Sequence, residues 1–155
     1  MSAKEQGLPS EQIGITQQSV RIGLAILRIL LGAALIFAGI THLTVARAEF
    51  LAQVPTWLPL PGDLVVIVSG VVEITLGVAL IFVRKQRALV GLATAAFFIL
   101  IFPGNISQYV NRIDAFGLNT DQARFNRLFF QPVLVIWALV STGGWRVIFR
   151  RSAQP

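Results

Sequence analysis

Residues 64–83 read LVVIVSGVVEITLGVALIFV, an apolar run with a single carboxylate, Glu73, near its middle. A bilayer core about 30 Å thick takes about 20 apolar residues of helix to cross, so the run reads as a membrane span with Glu73 near mid-depth. An ionised side chain there costs roughly 2.5 kcal/mol or more, and it is tolerated only if it faces protein, finds a partner or gives up its charge. One stretch therefore indicates both a membrane crossing and a polar site inside it.

Three more apolar segments, residues 20–44, 88–109 and 128–149, have the same length class. The 155 residues are 55% hydrophobic and 13% charged, too apolar to clothe a soluble surface. The expected fold is all-α, a four-transmembrane-helix bundle. Its parts are a disordered cytoplasmic tail over 1–19, a membrane domain over 20–149 and a second cytoplasmic tail over 150–155. The first span is longer than a signal-peptide core, although Ala46-Arg47-Ala48 imitates a cleavage site. A net charge of +6 comes from residues beside apolar runs, which suits lipid headgroups and excludes nucleic acid as a partner. With no Cys in the chain, thiolate chemistry, disulfide exchange and iron–sulfur ligation within it are excluded.

Orientation follows from the basic residues of the short loops. Lys4, Arg21, Arg84, Lys85, Arg87, Arg146, Arg150 and Arg151 fall on one side. Arg47, Arg112, Arg124 and Arg127 fall on the other, diluted by Glu49, Asp63, Asp114 and Asp121. Both termini are expected to be cytoplasmic. On the outer side, residues 45–62 carry Phe50, Leu51, Trp57 and Leu58 with Pro55, Pro59 and Pro61, too apolar to float and too proline-rich to stay helical. Phe50, Pro55, Trp57 and Pro59 are read as a lid lying on the outer interface. Residues 111–126 are polar and fit either a short helix or coil.

Helical stepping gathers the polar residues of each span on one face. Arg28, Gly32, Leu35, Gly39 and His42 share a face of the first span, and Ser69, Gly70, Glu73 and Gly77 share one of the second. In the third, Thr94, Phe98, Asn105 and Gln108 do the same, with Pro103-Gly104 weakening the helix before Asn105. Small residues around a carboxylate mark a face turned to neighbouring helices. Counting depth at about 1.5 Å per residue from the span ends puts Arg28 and Glu73 about 4 Å apart in height, within reach of an ion pair. His42, Asn105, Gln108 and Tyr109 form a second, outer polar layer. The candidate site is Arg28, His42, Glu73, Asn105 and Gln108.

Each residue also has a blander reading. Arg28 with Glu73 can fix helix register without chemistry. His42 suits an interfacial histidine, Asn105 suits backbone groups freed by Pro103, and Phe97, Phe98, Phe102 and Trp137 suit packing. A single His makes a protein-only transition-metal site improbable, and no metal is expected.

The segments 37–43 (FAGITHL), 54–59 (VPTWLP), 69–73 (SGVVE) and 102–106 (FPGNI), in this order and spacing, resemble the DoxX family of small bacterial four-span membrane proteins. The resemblance runs from about Leu24 to Trp145. It implies a four-helix bundle in the bacterial inner membrane, with His42, Glu73 and Asn105 as the family-like polar residues. Some relatives are associated with sulfur-compound oxidation coupled to membrane quinone, others with a membrane complex linked to oxidative-stress enzymes.

Two functional readings remain open, neither requiring catalysis by the isolated chain. One is an accessory or binding subunit holding a quinone-like or other amphipathic molecule, since an apolar tunnel with a few placed polar groups suits such a ligand. The other is a structural subunit of a larger membrane complex, either a homo-oligomer or a redox assembly, consistent with glycine-lined faces. A proton-coupled carrier using Glu73 ranks below both, because no inverted repeat is evident.

Overall fold

The computed structural model describes residues 10–151, with side chains from 14 to 149, and every regular element in that range is a helix. In chain order these are α1 (Ser10–Leu43), α2 (Arg47–Gln53), α3 (Gly62–Phe82), α4 (Arg87–Val110), α5 (Asp121–Thr142) and α6 (Trp145–Arg151). Four segments, Gly14–Leu43, Gly62–Phe82, Arg87–Val110 and Asp121–Thr142, are long and apolar enough to cross a bilayer. The all-α, four-span architecture expected from the sequence is what the chain forms.

Local chemistry sets the limits. α2 stops at Gln53 because Pro55 disfavours helical geometry at the residue before it, and Val54 is extended at φ −64°, ψ 121°. α3 starts directly after Pro61. The Thr120 hydroxyl caps α5 by accepting from the Ala123 N–H at 3.2 Å. α5 ends at Gly143, which adopts φ +77°, a left-handed conformation that glycine takes without a Cβ penalty.

Three expectations need correction. The tail expected over 1–19 is helical from Ser10, because Glu11, Gln12, Gln17 and Gln18 are good helix formers that extend a nucleated helix cheaply. Its first nine residues, and 152–155 of the second tail, lie outside the described range. The segment after Val45 is partly helical: Phe50 sits in α2, and only the proline stretch beyond Gln53 is irregular. The fourth span is Asp121–Thr142 and not 128–149, because Arg124 and Gln131 find partners inside the bundle while Gly143 and Gly144 break the helix before Trp145.

Lipid tails are as apolar as leucine, so helices in a bilayer associate through close packing more than through burial of apolar area. α1 and α3 achieve this with glycines. A Cβ on Gly32 would lie 2.7 Å from the Gly77 carbonyl oxygen, and one on Gly39 only 2.5 Å from that of Gly70. The two helices run antiparallel, backbone on backbone. α4 and α5 form the second pair, with Gly91 against Thr142. α5 also packs on α1, and α3 on α4, closing the ring around Leu31, Leu35, Leu80, Phe98 and Ala138. On the outside, Phe37, Leu100, Phe129 and Ile136 are each at least 60% exposed, a surface for acyl chains.

The glycine register relocates Arg28. Four residues before Gly32, it lies level with Ile81; Glu73, three residues after Gly70, lies level with Ile36. Eight residues of helix, about 12 Å, separate the two heights. Counting from position 20 misplaced Arg28 because α1 continues well beyond that position.

Candidate functional site

The last turn of α1 carries His42 and the middle of α3 carries Glu73. The close approach at Gly39 and Gly70 brings both side chains into one gap, where His42 is 7% and Glu73 4% exposed. Nδ1 of His42 lies 2.9 Å from Oε2 of Glu73 and also 2.9 Å from the Ala38 carbonyl oxygen. A carbonyl only accepts, so Nδ1 carries the proton and donates it to Ala38 within the helix. The carboxylate oxygen sits close by but off that N–H direction. Oε2 of Glu73 is consequently shielded from solvent without a hydrogen bond. Such an orphan is costly in an interior, where nearly all buried polar atoms are paired.

α2 roofs this pair. The Phe50 ring stacks on His42, with centroids 3.2 Å apart and planes at 17°, and the Phe116 ring meets Phe50 edge-on at 4.6 Å. Phe116 has φ +58°, and its N–H donates to Oε2 of Glu49 at 2.5 Å, so α2 itself holds the strained loop residue. The Arg127 guanidinium covers the other side of Phe116, 4.6 Å from the ring centre.

A second polar layer joins α2, α4 and α5. Gln53 Nε2 donates to Gln108 Oε1 at 2.5 Å, and Gln108 Nε2 donates to the Ala115 carbonyl at 3.2 Å. Arg127 donates to Asn105 Oδ1 at 3.2 Å and to Gln53 Oε1 at 3.4 Å. Asn105 donates to Gln131 Oε1 at 3.0 Å, and Gln131 donates to the Phe98 carbonyl at 2.5 Å. Here each amide is matched by the protein itself. Above this layer the buried Arg124 pairs with Asp114 and Asp121.

The expected constellation therefore divides. His42 and Glu73 meet under Phe50. Asn105 and Gln108 belong to the neighbouring network, where their hydrogen bonds are already taken. Among the described residues no ion pair joins Arg28 to Glu73, and the expected pair is replaced by His42 with Glu73 because of the glycine register. Of the lid residues, Phe50 is the roof, Pro55 is buried, and Trp57 and Pro59 are exposed. Trp137, expected as packing, also ties α5 to α1 through its indole N–H, 2.9 Å from the Leu27 carbonyl.

Sequence reasoning missed Glu49, Gln53, Phe116, Arg127 and Gln131. The signal was present for two of them: Arg124, Arg127 and Gln131 are spaced by three and four, a polar face running into an apolar segment. Starting the fourth span at position 128 cut that face in half.

Fold and site define a multi-pass, all-helical membrane protein with a buried histidine–carboxylate pair under a short amphipathic roof. The family described as Domain of unknown function (DUF8561) matches residues 31–142, and the chain belongs to it. No curated protein and no solved structure matches the chain.

Proposed function

We propose that this chain is a DoxX-like accessory or binding subunit of a redox-linked system in the bacterial inner membrane, with both termini cytoplasmic, and that it holds a quinone-like or other amphipathic molecule at His42 and Glu73. The observation that carries the reading is Oε2 of Glu73, buried without a hydrogen bond 2.9 Å from a His42 ring that Phe50 covers. A hydroxyl on a ligand would give that oxygen the donor it lacks. Nε2 of His42, which makes no hydrogen bond among the described residues, can meet a second polar atom, and the aromatic rings suit a flat apolar head. Orientation rests on the basic loops, and membrane type on the family-like motifs.

A quinone analogue added to the detergent-solubilised protein is expected to raise its unfolding temperature, and His42→Ala and Glu73→Gln should each abolish the rise. A rise that survives both substitutions removes the site assignment. A non-catalytic assembly subunit is the second reading, favoured by the self-satisfied Gln53–Gln108–Asn105–Gln131 layer, which offers a small ligand nothing. Stoichiometric protein partners after gentle purification, with no ligand effect on stability, would select it.

A further inference from the structure

Among the described residues, the end of the bundle opposite α2 gathers positive charge with no acid in an ion pair there. Arg28 is 7% exposed, its Nε has no hydrogen-bond partner, and it takes part in no ion pair among the described residues. The charged groups acting on it are Arg87 and Arg84, both of like sign. Among the described residues Glu11 is the one acid on this side of the bundle: none stands between Glu73 and Asp114, and none follows Asp121. Glu11 lies 17 residues from Arg28, about 25 Å further out along α1.

Beside this cluster is a cleft of 260 Å³ whose wall includes Arg87, Ala88, Thr142, Gly143 and Arg146. α4 opens into it without a side-chain cap; the Leu89 and Val90 N–H groups donate to the Gln86 carbonyl, and those of Arg87 and Ala88 are left for another acceptor. Guanidinium groups hold phosphate oxygens through paired N–H donors, and a buried arginine among like charges is stabilised by an anion.

We propose that this cleft binds a phosphate group, held by Arg87 and Arg146. The buried Arg28, in the field of Arg87, adds positive potential. The phosphate is carried either by an anionic lipid headgroup or by a small soluble anion. The site is separate from the His42 gap and does not depend on what that gap holds.

The test uses the full chain, delipidated in detergent, with affinity measured for phosphatidylglycerol, phosphatidylcholine and inorganic phosphate. Phosphatidylglycerol, inorganic phosphate or both should bind, each neutralised arginine of the cleft weakening binding about fivefold. Arg87→Gln with Arg146→Gln, at exposed positions that line the cleft, should therefore lose well over tenfold, and Arg28→Gln, which acts only through the field, less than either single change. Arg112→Gln, at the α2 end, should change nothing. Binding of the lipid alone identifies a headgroup site, and inorganic phosphate binding with the same sensitivity to the variants identifies a soluble anion. Unchanged affinity in the double variant overturns the proposal, as does failure of both phosphatidylglycerol and phosphate to bind more tightly than phosphatidylcholine. Should Arg28→Gln not fold, the double variant still decides.

Discussion

Replacing Gly39 with alanine tests the packing on which the whole site rests. The added methyl would lie 2.5 Å from the Gly70 carbonyl oxygen, 2.7 Å from Ile74 Cγ1 and 3.1 Å from the Ile74 nitrogen. Ordinary contact begins near 3.4 Å, so α1 and α3 must part by the better part of an ångström. Two of these three atoms are backbone and cannot rotate away. Forced repacking of this kind costs about 1–3 kcal/mol, while alanine regains up to about 1 kcal/mol of helix propensity. The expected net loss is about 0–2 kcal/mol against the parent chain and about 1–3 kcal/mol against Gly23→Ala, which shares the propensity gain, measured by reversible unfolding in mixed micelles. Gly23 lies in the same helix with nothing within 4 Å, so its alanine variant should be neutral or more stable. Gly70→Ala should fall between them, since its contacts lie at 3.0–3.2 Å and two of the three are side-chain atoms. The reasoning fails if Gly39→Ala is as stable as Gly23→Ala.

The same parting has a second readout. Gly39 and Gly70 set the spacing at which His42 reaches Glu73, so Gly39→Ala should also reduce any ligand-induced rise in unfolding temperature. The double variant with Gly77→Ala should lose less than the two single losses combined, because separating the helices at one contact relieves the other.

Arg124→Ala should cost about 1–2 kcal/mol: its buried guanidinium holds Asp114, Asp121 and the Ile113 carbonyl, but both acids are more than half exposed and can hydrate once released. Arg112→Ala should cost under about 0.5 kcal/mol, because its pair with Asp121 is exposed and 3.7 Å long; equal losses for the two would refute the assignment of Arg124 as the loop's anchor. Gln131→Leu should cost about 1–3 kcal/mol by stranding the Asn105 amide in the interior, whereas Glu73→Gln should leave stability unchanged or higher, both read from unfolding midpoints.

The fold was legible because its signal is compositional. Long apolar runs and the helix-breaking Pro59 and Pro61 mark the spans with little help from tertiary contacts, although the stop at Gly143 was passed over. The inward faces of α1 and α3 were legible for a related reason: Gly32, Gly39, Gly70 and Gly77 sit one helical repeat apart beside Glu73, and small residues at that spacing serve backbone approach. What the sequence withheld was register. Whether Arg28 or His42 meets Glu73 depends on how far α1 slides along α3, and the start of an apolar run does not set that slide. Arg127 was lost differently. A cation at the edge of a span reads as loop until its partners are known, and those partners, Gln53 and Asn105, are 74 and 22 residues away.

The two halves of the bundle are held by different means, and the difference bears on what Glu73 is for. α4 and α5 are joined by amides that satisfy one another, so there the polar residues contribute adhesion. α1 and α3 are joined backbone to backbone through glycine and need no polar side chain to pack. Glu73 nevertheless lies in that seam, one oxygen close to His42 yet without a hydrogen bond. A carboxylate that adds nothing to packing and leaves an oxygen without a hydrogen bond weakens the fold at the place where it sits, and an ionisable group inside an apolar span is by default a functional candidate. The Gln131→Leu and Glu73→Gln pair separates adhesion from function: if Glu73→Gln destabilises as much as Gln131→Leu, Glu73 is packing material after all and the His42 gap has no claim to a ligand.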